Sequence, residues 1–352
     1  MVPFAKARLG LDEAHLGLVL LCMGLGSAVS MPLAGFVSHR RGNRGVLAIS
    51  AALAAVALPL LVLAPTTALL AAALVVFGAA LGVMDVAMNA HAVDVERLSA
   101  RPLMSGFHAL YSIGGLTGAA VVSALLGAGL PLVACSLAVG AGLLALVATQ
   151  WRHLLAIVPD RATARRSMFA LPSPITVLIG VLCLVMFLAE GAMLDWGAVF
   201  LHSERGVDLS DAGLGYAVFS VAMTIGRLTG DRVTTALSAV RVVRYGSLVA
   251  AAGFVLVCAL PWSATTLAGF VLIGVGASNI VPVLFSAAGR IPDTAPGVAI
   301  ATATTLGYTG LLSGPAVIGV IARATSLPLA LGGIAVLLVG VSAGASIVRT
   351  RS

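Results

Sequence analysis

Leu11-Asp12-Glu13-Ala14-His15-Leu16-Gly17 reads again, in the second half of the chain, as Leu209-Ser210-Asp211-Ala212-Gly213-Leu214-Gly215, with Arg8 just upstream of the first copy and Arg205 just upstream of the second. Each copy introduces a long apolar run. Farther along, Gly82-Val83-Met84-Asp85 aligns with Gly276-Ala277-Ser278-Asn279, and Gly114 and Gly118 align with Gly310 and Gly314. Matches in one order read as two parallel repeats, 1–150 and 174–352, joined by a linker at 151–173 that gathers Arg152, Arg161, Arg165 and Arg166. The second copy follows a complete apolar run holding Glu190 and Asp195, whereas the first copy lies close behind Met1. The repeat therefore leads to the expectation of one more helix ahead of the first copy.

Sixty per cent of the residues are hydrophobic and 9% are charged, and the mean hydropathy is +1.11. A water-soluble fold could not cover itself with so few charges. Apolar stretches near 15–38, 45–64, 67–93, 103–127, 131–150, 174–201, 212–232, 242–260, 265–288, 297–322 and 327–348 each approach or exceed the roughly 20 residues that cross a bilayer as helix. That predicts an all-α, multi-pass membrane protein of about eleven spans, with twelve expected from the repeat. The runs are Leu/Ala/Gly-rich and do not alternate, which excludes a strand barrel.

The formal charge of +7 is concentrated in alternate loops. Arg40, Arg41 and Arg44 fill one; the linker arginines fill another; Arg232, Arg241, Arg244, Arg349 and Arg351 lie on the same side. Such loops are cytoplasmic by the positive-inside rule, so the basic balance reports topology and not affinity for nucleic acid. Cys22, Cys135, Cys183 and Cys258 sit singly in separate spans and read as small apolar packing residues. No zinc spacing is present, and Lys6 is the only lysine, which excludes a phosphate-binding Gly-Lys-Ser/Thr loop. No cofactor is expected, and no pattern suggests an enzyme. Glycines at i, i+4 (Gly78/Gly82, Gly114/Gly118, Gly226/Gly230, Gly310/Gly314) read as devices for close helix packing.

Pro32 to Arg44 (PLAGFVSHRRGNR) resembles the loop signature that follows the second helix of major facilitator transporters. Gly78 to Arg97 (GAALGVMDVAMNAHAVDVER), Met104 to Gly118 (MSGFHALYSIGGLTG) and Glu190 to Leu201 (EGAMLDWGAVFL) resemble a bacterial inner-membrane branch of that superfamily, the YbjJ-like group, distantly similar to fucose-permease-like carriers. The resemblance covers nearly the whole chain and implies the major facilitator fold: two pseudo-symmetric helical halves, alternating access and proton-coupled transport through a central site. Two departures stand out. His39 occupies the position of the signature's acid, weakening the charge pair expected there, and the family's first helix, which lines the cavity, is not found.

Several polar residues fall inside the spans. Asp85 lies about nine residues from the cytoplasmic end of its run, roughly 14 Å deep, and Asn89 is one turn away on the same face. Intramembrane charges usually face a cavity or a partner. Glu190 is the deeper of two carboxylates, and burial favours the neutral, protonated form that a proton carrier must adopt; it is therefore assigned proton coupling, with Asp85. Asp195 stands five residues on, about 140° around the helix, and with Trp196 is assigned to the outer rim. His108, Tyr111 and Ser112 form a polar stripe; His108 and Tyr111 are placed in the solute cavity with Asn89, Asn279 and Tyr308. An interhelical hydrogen bond is the plainer alternative for His108. Arg227 and Asp231, at i, i+4, and Asp94, Glu96, Arg97 and Arg101 cluster near cytoplasmic helix ends. With His39, Arg40, Arg41 and Arg44 they are read as a gate network, Arg101 excepted as a solvated loop charge.

The leading reading is a secondary active transporter moving a small organic solute with protons across a bacterial inner membrane, as a monomer. An exporter of hydrophobic or cationic compounds is the alternative within the class, since only 5% of the residues are aromatic and sugar sites usually stack rings. A membrane protein that does not transport is the second class.

Overall fold

The computed structural model describes residues 8–11, 13–157, 172–292 and 294–349. They form helices and no strand. The long helices are α1 (Glu13–Arg41), α2 (Asn43–Leu63), α3 (Thr67–Ser99), α4 (Met104–Gly127), α5 (Leu132–Gln150), α6 (Pro174–Arg205), α7 (Leu214–Leu237), α8 (Ala239–Ala259), α9 (Ser263–Ala277), α10 (Ile280–Ala288), α11 (Pro296–Ala324) and α12 (Leu327–Gly344). α9 and α10 are two pieces of one span. All eleven expected spans are therefore helical, and ten are long and apolar enough to cross a membrane. The other is α7, which carries Arg227, Asp231 and Arg232. Large apolar side chains stand outward, Ile49 and Val336 at 71% exposure, as a surface bathed in lipid permits and water does not.

Local chemistry sets the helix ends. Ser173 accepts from the Thr176 N–H at 3.2 Å and Pro174 follows at the first helical position, which starts α6. Gly206, at φ 65°, closes it: its N–H donates to the His202 carbonyl at 3.2 Å, and the Val207 N–H to the Leu201 carbonyl at 3.1 Å. Ser326 and Pro328 open α12 in the same manner.

Two compact units form. The first comprises the described parts of Met1–His91, Ile113–Leu171 and Thr294–Ala301; the second comprises those of Ala92–Ser112, Pro172–Asp293 and Thr302–Ser352. In the first unit, α1 and α3 meet at backbone distance. A Cβ at Gly78 would strike the Met23 carbonyl, and the Ser27 and Ser30 hydroxyls donate to the carbonyls of Gly78 and Ala79 at 2.7 and 3.0 Å. Gly140 of α5 rests on the Ala55 carbonyl, the acceptor that Pro59 in α2 leaves without its usual helical donor. In the second unit, Gly307, Gly310 and Gly314 seat α11 on Phe187, Leu184 and Leu188 of α6. Phe200, Phe254, Phe270 and Phe285 are fully buried there.

Three of the four glycine pairs are thus packing devices, since Gly226 and Gly230 of α7 lie against Ser278 and Asn279. Gly114 and Gly118 differ: nothing described lies within 4 Å of where a Cβ would stand at either.

The expected span at 265–288 is broken at Ser278–Asn279. Pro282 is the cause. It lacks an N–H and its ring displaces the carbonyl four residues back, which is that of Ser278.

Candidate functional site

The freed Ser278 carbonyl has a charged partner. Arg227 of α7 is 8% exposed and its Nε donates to Ser278 O at 3.3 Å. Its Nη1 donates to the Ser112 hydroxyl of α4 at 3.0 Å. Its Nη2 lies 3.5 Å from Oε2 of Glu190 on α6, the two side chains being 9% and 18% exposed. The second carboxylate oxygen of Glu190, Oε1, is buried with no hydrogen-bond partner. Opposite charges in neighbouring spans pair because each alone would be costly in low dielectric.

The surroundings fix this arrangement. Without side chains at Gly226 and Gly230, α7 comes close enough for Arg227 to reach the helix break. The Asn279 amide donates to Gly226 O at 3.0 Å and to the Ser278 hydroxyl at 2.9 Å, so it ties α7 to the break. Its Oδ1 is buried without a partner. Asn279, expected as a cavity residue, is 8% exposed with its amide engaged in this tie. His108 bonds through Nδ1 to Met104 O at 3.0 Å, and its ring sits 5.9 Å from that of Phe285.

In the first unit, Asp85 and Asn89 meet as the helical spacing predicts. The Asn89 amide donates to Asp85 Oδ1 at 3.2 Å and to Asp85 O at 2.9 Å. Asn89 is 2% exposed.

A second charged cluster lies at the arginine-loop end of the second unit. Glu96 of α3, 1% exposed, accepts from the N–H groups of Leu103 and Met104 at 2.9 and 3.1 Å. It also accepts from the Ser286 hydroxyl and from Arg290 Nη2 at 2.6 Å. Asp231 of α7 accepts from the N–H groups of Ser105 and Gly106 at 3.0 and 2.9 Å. Two carboxylates from different helices thereby hold the start of α4, where unpaired N–H groups favour negative charge. Arg97 donates to the Gly289 carbonyl.

Arg227 and Asp231, both expected in a gate network, bind different partners. One reaches Glu190 and the other the start of α4, so Arg227 belongs to the intramembrane site. Reasoning from sequence missed Arg290 and Ser286 and undervalued Glu96. Tyr111 is 64% exposed; Asp195 is exposed and Trp196 half-buried, its indole N–H without a partner; Tyr308 packs on Phe187 at 5.7 Å. Arg40 stacks over Phe36 and Arg44 over Trp151, both at 4.5 Å. Arg41 is exposed and Asp94 half-buried. The His39 side chain lies outside the described residues.

Spans that carry paired charges inside them suit a protein that moves solutes, and the comparisons agree. The chain is 49% identical over 346 residues to an MFS-type transporter of Yersinia pestis, covering 98% of this chain and 89% of that one. Among solved structures it is similar to the transporter FucP in its outward conformation (TM-score 0.81, 16% identity, 99% of this chain and 93% of that one). It is also similar to the proton:xylose symporter XylE (TM-score 0.76, 14% identity, 97% and 89%). The model of the major facilitator superfamily matches residues 1–315. The chain belongs to that superfamily.

Proposed function

We propose that the chain carries a small organic solute across a bacterial inner membrane by alternating access, coupled to protons, with its halves at 1–150 and 174–352 moving about the 151–173 linker. The observation that carries this reading is the Glu190–Arg227 pair: a carboxylate inside a span, 3.5 Å from a guanidinium and with one oxygen unpartnered. Protonating Glu190 removes the charge that Arg227 neutralises and leaves the guanidinium held by Ser112 and Ser278 alone. A proton thereby loosens α6 from α7. Asp85, bound by Asn89, is the second proton-coupling acid, in the first half. The Glu96 and Asp231 clusters act as the cytoplasmic latch that must open in each cycle. A cationic solute fits Glu190 poorly, because Arg227 already occupies its charge.

Vesicles bearing the chain and an internal pH dye test the reading when challenged with sugars, polyols, organic acids and lipophilic cations. One non-cationic class is expected to shift lumenal pH with the native chain and not with Glu190→Gln. An equal shift with both would overturn the assignment.

A further inference from the structure

Beside the Glu96 cluster, the arginine-loop end of the second unit holds a cavity of about 540 Å³, within the ~300–1,000 Å³ common for small-molecule sites. Its walls come from the first turns of α6, the residues after α10 and the turn after α12. Arg290 and Arg349 supply its charge, and Ile175, Ile179, Ile291 and Val348 much of its apolar lining. Among the described residues, none that line it is acidic. Arg290 shares a donor with Glu96, whereas Arg349 is exposed and forms no ion pair among the described residues.

We propose that this cavity binds the headgroup and upper acyl chains of an anionic phospholipid of the cytoplasmic leaflet. The charge fits a phosphodiester: two guanidiniums, plus the positive end of α6, whose first turn lines the space. Depth fits as well, because three spans end here on the side bearing the arginine loops, where anionic headgroups lie. The apolar wall distinguishes a lipid from a soluble anion. Ile179 and Val348, 1% and 2% exposed, are among the apolar residues lining it, a surface that a free phosphate would leave uncovered. A phosphate at Arg290 would share that guanidinium with Glu96, so occupancy would be felt at the carboxylate that holds the start of α4.

Native mass spectrometry of the full chain in detergent, titrated with phosphatidylglycerol or phosphatidylcholine of matched acyl chains, tests the site. Phosphatidylglycerol should be retained at least about fivefold more strongly than phosphatidylcholine, and Arg349→Gln should cost about fivefold in its affinity, the worth of one basic residue near an anionic headgroup. Phosphatidylcholine binding by Arg349→Gln should be unchanged. Equal retention of the two lipids, or native affinity in Arg349→Gln, would overturn the proposal. Displacement of the lipid by millimolar inorganic phosphate would overturn it too, by making the cavity a phosphate site.

Discussion

Removing either charge of the Glu190–Arg227 pair should destabilise the protein, and removing both should cost little more than removing one. At 3.5 Å two unit charges attract by about 5 kcal/mol at the effective dielectric of about 20 that describes most protein sites. Breaking a buried pair by deleting one partner generally costs about 3–5 kcal/mol, because the survivor is left uncompensated. Gln at 190 can still accept from Arg227, so Glu190→Gln should fall at the low end, about 3 kcal/mol, as should Arg227→Gln. At roughly 2 °C per kcal/mol each single variant should lose roughly 6 °C in its unfolding midpoint. The double variant should lose about 4 kcal/mol where simple addition gives about 6, a coupling of about 2 kcal/mol. The readout is heat-induced loss of the monodisperse peak in size-exclusion chromatography. Midpoint losses that simply add would refute the pairing.

Gly310→Val would push a Cβ into the Leu184 carbonyl, where backbone cannot yield, and should cost about 3 kcal/mol and most of the folded yield. Gly118→Ala meets nothing within 4 Å and should gain about 1 kcal/mol of helix propensity; the opposite order of yields would contradict the packing described. Asp231→Asn weakens the two carboxylate bonds at the start of α4. Losing about 1.4 kcal/mol there should speed hydrogen exchange at Ser105 and Gly106 roughly tenfold, and unchanged exchange would contradict that role.

Ten spans among the described residues were legible because run length and composition decide what can cross a bilayer, and the Asp85–Asn89 pair because helical spacing is local. The Glu190–Arg227 pair was not, although both charges were visible inside apolar runs. Its recognition needs the adjacency of α6 and α7, which no periodicity encodes. Pro282 marks the break in the ninth span, but Pro32, Pro59 and Pro315 lie inside continuous helices, so a proline alone did not announce it. Nor could it disclose that the orphaned Ser278 carbonyl would be met by an arginine 51 residues earlier. Glu96 was obscured in the same way: its partners Ser286 and Arg290 lie about 190 residues away.

The most direct test of the account compares gradient-driven accumulation with equilibrium exchange of the transported solute in proteoliposomes of the native chain and Glu190→Gln. If Glu190 carries the coupling proton, the variant exchanges solute across the membrane yet fails to accumulate it under an imposed pH gradient. Accumulation by Glu190→Gln at the native level would contradict the claim.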